Sequence, residues 1–207
     1  MKVKNLKEVI NLNKNRLIFI GGRPSAGKTS LVLDITKDVA INDKIPVAVF
    51  SLETAVKKCA DIILRENKNL DYIKELSEAN IFIDDTPAIS VDRIKEKSIK
   101  LKNEKHIGLI VIDYLQLLKT NDNENVYVSL KKLSQELDVP VIITSQLTTE
   151  IDKREDKKPN LDDIKDIIEV NSDVIMFLYN ENNNREIIVA KDKHGNIGNI
   201  KLYNLEH

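Results

Sequence analysis

The chain has one cysteine, no tryptophan, six glycines and five prolines in 207 residues. A single thiol, Cys59, excludes a disulfide framework and a cysteine-built zinc site. No apolar run approaches the roughly 18 residues that a membrane helix needs. Met1 to Lys14 is polar and basic, without the apolar stretch of a secretion signal. Neither sign of charge dominates. The 32 Lys and Arg are set against 33 Asp and Glu, a formal net charge of -1, so any basic surface for nucleic acid has to be local. With 42% hydrophobic and 31% charged residues the chain is not of the disordered class. The expectation is a cytoplasmic globular protein whose core needs no covalent help. Residues 1–14 read as a linker-like segment, 15–204 as one domain, and Leu205-Glu206-His207 as the remnant of an expression tag.

What is present is patterned. Leu17 to Ile20, Val47 to Phe50, Ile81 to Ile83, Leu109 to Ile112, Val141 to Ile143 and Val174 to Leu178 are short continuous apolar runs, as in strands buried on both faces. Between them lie amphipathic segments. Val126, Leu130, Leu133 and Leu137 share one helical face, and Val91, Ile94, Ser98 and Leu101 another, after an N-cap at Ser90. Strand alternating with helix predicts an α/β fold with a mostly parallel central sheet flanked by helices. The last quarter differs. Val174 to Tyr179, a turn over Asn180 to Asn184, and Glu186 to Ala190 predict an antiparallel C-terminal hairpin, with one more strand near Ile200 to Tyr203. Thr148 to Asn160 reads as a polar, flexible loop.

Gly22-Arg23-Pro24-Ser25-Ala26-Gly27-Lys28-Thr29 matches G-x-x-x-x-G-K-[ST] in full, after a strand and before a helix that continues from Ser30. Such a loop turns backbone N–H groups toward phosphates at a helix N-terminus. Lys28 reaches the β- and γ-phosphates and the Thr29 hydroxyl ligates Mg²⁺. Leu109 to Asp113 is an apolar strand ending in a carboxylate, which sets Asp113 beside the loop as a second holder of Mg²⁺. Hydrolysis also needs a group to orient water. Tyr114 follows Asp113, so no acid adjoins it. Glu53, at the end of the next strand, is the candidate; a solvated loop glutamate is the alternative. His106 and His194 read as surface polar residues, and Cys59 as packing.

Gly22 to Thr29, Phe50-Ser51-Leu52-Glu53, Ile83-Asp84-Asp85-Thr86-Pro87, Ile110-Val111-Ile112-Asp113-Tyr114-Leu115-Gln116-Leu117 and Ser145-Gln146-Leu147 occur in one order. In these motifs the chain resembles the C-terminal, RecA-like motor domain of DnaB-type replicative DNA helicases of superfamily 4. The resemblance covers roughly residues 15 to 204. It implies a RecA-like P-loop NTPase that hydrolyses ATP with Mg²⁺ and translocates on single-stranded DNA in replication. It also implies a ring or filament of copies with the active site between subunits, and a helicase loader or primase as partner. Residue by residue, Gly22 to Ser30 would bind nucleotide, Thr29 and Asp113 the metal, and Glu53 would be the catalytic base. Gln146 would sense the γ-phosphate. Lys191 and Lys193 fall where the family projects a lysine and an arginine finger into the neighbour's site.

The chain departs from that pattern. The family's N-terminal helical domain has no counterpart among these residues. The stretches from Glu53 to Ile81 and from Lys119 to Val126 are short. Lys193 replaces the finger arginine and offers a point charge in place of a planar fork. Since the chain holds 26 Lys, 6 Arg and 21 Asn, that Lys reads equally as compositional drift. The DNA-loop motif is degraded, with Lys165 where the family has arginine. Lys153, Arg154, Lys157 and Lys158 are candidates for DNA contact, but acids between them leave residues 152–158 at only +1, and a solvated charged loop is an equal reading. Two alternatives therefore stand beside the helicase motor. One is a DnaB-like ATPase that binds DNA without unwinding it, such as a phage or mobile-element accessory protein or a recombinase-like filament former. The other is a nucleotide-gated assembly module with negligible turnover.

Overall fold

The structure is a computed structural model that describes residues 12, 15–64, 69–119, 125–181, 184–193, 195 and 197–201. Most of the linker-like segment, His194 and the tag remnant lie outside the described residues. The strands are β1 (Leu17–Gly22), β2 (Val47–Ser51), β3 (Ile81–Asp84), β4 (Leu109–Asp113), β5 (Val141–Gln146), β6 (Val174–Glu181), β7 (Asn184–Asp192) and β8 (Gly198–Lys201). The α-helices are α1 (Lys28–Ile41), α2 (Val56–Leu64), α3 (Leu70–Glu78), α4 (Val91–Lys105), α5 (Val126–Leu137) and α6 (Asp166–Asn171). One eight-stranded sheet has the order β3-β2-β4-β5-β1-β6-β7-β8. Its first six strands run parallel, and β7 and β8 pair antiparallel. This is the predicted α/β architecture.

The uninterrupted apolar runs are explained by helices on both faces. Ile18 and Ile20 of β1 enter one core with Leu31, Val32 and Ile35 of α1. Leu17 and Phe19 enter the other with Ile94 of α4 and Leu130 and Leu133 of α5. The Ser90 hydroxyl accepts the Arg93 N–H (3.3 Å) at the start of α4, and the Asn125 side chain accepts the Val128 N–H (3.3 Å) at the start of α5. Helix α1 differs: its N-cap is Gly27 at φ 98°, and no side chain caps its first N–H groups.

Two expectations are refined. Pairing in the hairpin extends to Glu181 and Asn184, so the turn is tighter than the polar run Asn180 to Asn184 suggests. The last strand begins at Gly198, and residues 202 and 203 lie outside the described ones. The segment Thr148 to Asn160 is anchored, not merely polar: Thr149–Lys153 forms a 3-10 turn that buries Ile151 in the second core.

Candidate nucleotide site

The parallel strands bring their carboxyl ends to one edge. Gly22 of β1 is in register with Gln146 of β5, and Ser51 of β2 with Asp113 of β4. Residues 22, 53, 113 and 146, far apart in sequence, are thereby drawn together, where ligands of open α/β sheets bind.

The loop from Gly22 to Lys28 is shaped by backbone freedom. Gly27 lies at φ 98°, which a side chain would strain, and Ser25 at φ 60°. The Ala26 N–H donates to Arg23 O (3.2 Å), which closes the turn. Lys28 Nζ donates to Gly22 O and Arg23 O, both at 2.9 Å, so the ammonium sits over the concave side of the loop. Burial lowers the Lys28 pKa, while the negative charges of Asp113 and Glu53 oppose that shift. Ser30 follows in the first turn of α1.

Thr29 Oγ1 donates to Asp113 Oδ2 at 2.7 Å. Thr144 of β5 donates to Asp113 Oδ1, and Asp113 is only 2% exposed. A hydroxyl and a carboxylate that converge beside Lys28 are hard oxygen donors of the kind Mg²⁺ prefers, with water and phosphate completing its shell. The Leu52 N–H donates to Asp113 O (2.6 Å) and Ser51 Oγ to Thr54 O (2.6 Å). These bonds hold the exit of β2 against the exit of β4, with the Glu53 side chain exposed at the edge. Gln146, the last residue of β5, is held by Gln116. The Gln116 amide donates to Ser145 Oγ and Gln146 O, both at 2.9 Å, and accepts the Gln146 N–H at 3.4 Å.

The remaining candidates lie elsewhere. Lys191 is near the end of β7 and Lys193 just past it, at the opposite edge of the sheet. The Lys193 N–H donates to Asp173 O, and the Asp173 N–H to Leu17 O at the start of β1. Lys193 Nζ pairs with Asp173 Oδ1 (3.0 Å), and Lys191 Nζ donates to Glu169 O. Burial, then the charge of Lys193, lowers the Lys191 pKa. Asp173 also accepts from the Leu17 N–H (2.8 Å) and from Lys131 Nζ. Burial works to raise the Asp173 pKa, but the bonds from Lys131, Leu17 and Lys193 hold it below the usual value. Neither lysine can reach the phosphate loop of its own chain.

Of the proposed DNA contacts, four are paired internally: Lys153 with Glu150, Arg154 with Asp163, Lys157 with Glu181 and Lys158 with Glu186. Lys165 is exposed at the N-cap of α6. No cluster of three His, Cys, Asp or Glu suited to a metal occurs among the described residues. Thr144, Gln116 and Asp173 carry contacts that the sequence reading did not assign. Gln116 stood inside the quoted Asp113-to-Leu117 string, a signal that could have marked it.

Comparison with known proteins fits this geometry. The model of the DnaB-like helicase C-terminal domain matches residues 2–73 and 64–207. The replicative DNA helicase DnaB of Geobacillus stearothermophilus is 37% identical over 228 aligned residues, covering 91% of this chain and 50% of that protein. The alignment is longer than the chain, so the relative carries residues with no counterpart here, consistent with the shortened stretches. The replicative DNA helicase DnaC of Bacillus subtilis is likewise 37% identical, covering 91% of this chain and 50% of that protein. The chain spans about half the length of the curated relatives it matches. Among solved structures, one described as an ATPase domain superposes with a TM-score of 0.80 at 30% identity, covering 94% of this chain and 84% of that one. A DnaB-like replicative helicase, described with its interactions with primase, gives 0.80 at 29%, covering 94% and 57%. The chain belongs to the DnaB-like helicase C-terminal domain family.

Proposed function

We propose that the chain is an ATP-hydrolysing motor domain that translocates on single-stranded DNA in replication, in assemblies of its own copies. The observation that carries this reading is the meeting of Lys28, Thr29, Asp113 and Glu53 at one sheet edge. Lys28 exchanges the Gly22 and Arg23 carbonyls for phosphate oxygens, and the free N–H groups at the start of α1 receive further phosphate charge. Thr29 and Asp113 would hold Mg²⁺, which would supply positive charge against the phosphates. Glu53 orients and deprotonates the attacking water from the exit of β2. Gln146, fixed by Gln116, lies between the loop and the segment after β5, so γ-phosphate contact there is transmitted toward residues 148–160. Lys193 and Lys191 serve the neighbouring copy's site, with Lys193 exchanging Asp173 for phosphate. Partners on this reading are single-stranded DNA, copies of the chain, and a primase or helicase loader, in the cytoplasm. Among the described residues no helix is long and apolar enough to cross a membrane.

The internal pairing of Lys153, Arg154, Lys157 and Lys158 favours a second reading, a DnaB-like ATPase or assembly module that does not unwind DNA. Turnover of ATP with and without single-stranded DNA, beside a strand-displacement assay, separates them. The motor requires stimulation by DNA and displacement; slow turnover indifferent to DNA overturns it.

A further inference from the structure

Strand β5 reads Val141-Ile142-Ile143-Thr144-Ser145-Gln146, and all but its last residue are buried. Two of the buried side chains carry hydroxyls. Ser145 accepts from Gln116, whereas Thr144, at 0% exposure, donates to Asp113 Oδ1. Valine would fill the same space at position 144 with no polar atom. A hydroxyl taken into an apolar interior costs free energy unless it is bonded, so the choice of threonine is tied to its partner.

The strand register explains the meeting. Strands β4 and β5 are parallel, with Ile112 opposite Ile143. One step further along both strands sets Asp113 beside Thr144, with the two side chains on the same face of the sheet. Asp113 is thus held at both oxygens by hydroxyls from different elements: Thr29 of α1 donates to Oδ2 at 2.7 Å, and Thr144 of β5 to Oδ1. The two hydroxyls are not equivalent. Each has one proton and two lone pairs, so Thr29 can donate to Asp113 and still offer its oxygen to a cation. Thr144 lies within the sheet and acts through the carboxylate. Asp113 is only 2% exposed, so bulk water does not replace a donor lost at Oδ1. The carboxylate is planar, and a turn that re-satisfies Oδ1 carries Oδ2 away from Thr29.

We propose that Thr144 is a positioning residue of the metal site: its hydroxyl pins Asp113 Oδ1 to β5 and so keeps Oδ2 turned toward Thr29. The inference rests on the reading of Thr29 and Asp113 as the Mg²⁺ holders. It is tested with Mn²⁺ as a paramagnetic probe, titrated into the ADP-bound chain and followed by electron spin resonance, with no turnover involved. Thr144→Val weakens Mn²⁺ binding by about 10–100-fold, the usual loss when a partner behind a metal ligand is removed. Thr144→Ser, which keeps the hydroxyl, restores it. Thr144→Ser and Thr144→Ala both lose the methyl group and differ in the hydroxyl, so Ala binds Mn²⁺ more weakly than Ser by the same factor even if the valine variant does not fold. If Thr144 merely supports the core, the variants melt earlier while the folded chain binds Mn²⁺ as the wild type does; that result, or equal affinities for Ser and Ala, overturns the proposal. Thr29→Val separates the two readings. If it binds Mn²⁺ as tightly as wild type, the metal is not held at this site and the Mg²⁺ reading fails with the proposal. If it loses Mn²⁺ while Thr144→Val and Thr144→Ala do not, the proposal alone fails.

Discussion

Lys28 and Glu53 stand on the same sheet edge with opposite surroundings. Lys28 is half-buried, with its ammonium capped by two carbonyls, whereas Glu53 is exposed and acts on Lys28 through its charge. That contrast separates binding from chemistry. Glu53→Gln keeps the shape of the β2 exit, because Leu52 and Ser51 make the bonds that fix it. ATP affinity in this variant stays at the wild-type value, while turnover falls by about 10²–10⁴, the usual contribution of a positioned base. Equilibrium titration beside a phosphate-release assay checks both halves. Turnover equal to wild type would return the role to another carboxylate.

At the scale of elements, what was legible in the sequence was local. The strand runs and the helical faces of α4 and α5 are periodic over short windows, and the phosphate loop is a contiguous string. The contacts that escaped reading join distant elements. Leu17 and Asp173 are 156 positions apart, and Thr144 and Asp113 are 31. No spacing rule anticipates such pairs, since they follow from strand order. The same holds for two of the pairs that occupy the basic side chains of 148–160: Lys157 and Lys158 are visible in sequence, but their carboxylate partners Glu181 on β6 and Glu186 on β7 are not. Asp173 shows what such a contact does, joining β1, α5 and β7 through one carboxylate. Asp173→Asn leaves Lys131 without its ion-pair partner and destabilises the fold by about 3 kcal/mol at neutral pH, the scale for breaking a largely buried pair. The Asp173 pKa is depressed in the folded chain. Its contribution is therefore complete above the unfolded value and is lost as pH falls through the folded one. Urea unfolding should find the gap between variant and wild type constant near neutrality and closing below about pH 4.

At the scale of the whole molecule, the phosphate loop and Lys193 occupy opposite ends of the same parallel strands. On the shared-site reading, activity rises more than linearly with protein concentration, because a neighbour must supply Lys193. Lys193→Ala lowers turnover and leaves ATP affinity of the single chain intact. Adding the Glu53→Gln variant, which still carries Lys193, restores part of the rate. Lys193→Arg equals or exceeds wild type, since the planar fork fits phosphate oxygens better. Linear concentration dependence with an unaltered Lys193→Ala rate would remove the inter-subunit mechanism. On the same reading, the placement of the phosphate loop and Lys193 also sets a stoichiometry. Contacts that join a front to a back are heterologous, and they close into rings or run on as open rows. An open row always leaves one phosphate loop unserved at one end and one Lys193 unused at the other. A pair of chains then has a single working site, and a longer row always has one fewer than its members. Only closure makes the count of working sites equal the count of chains, so the turnover per chain is itself a gauge of whether the assembly has an end.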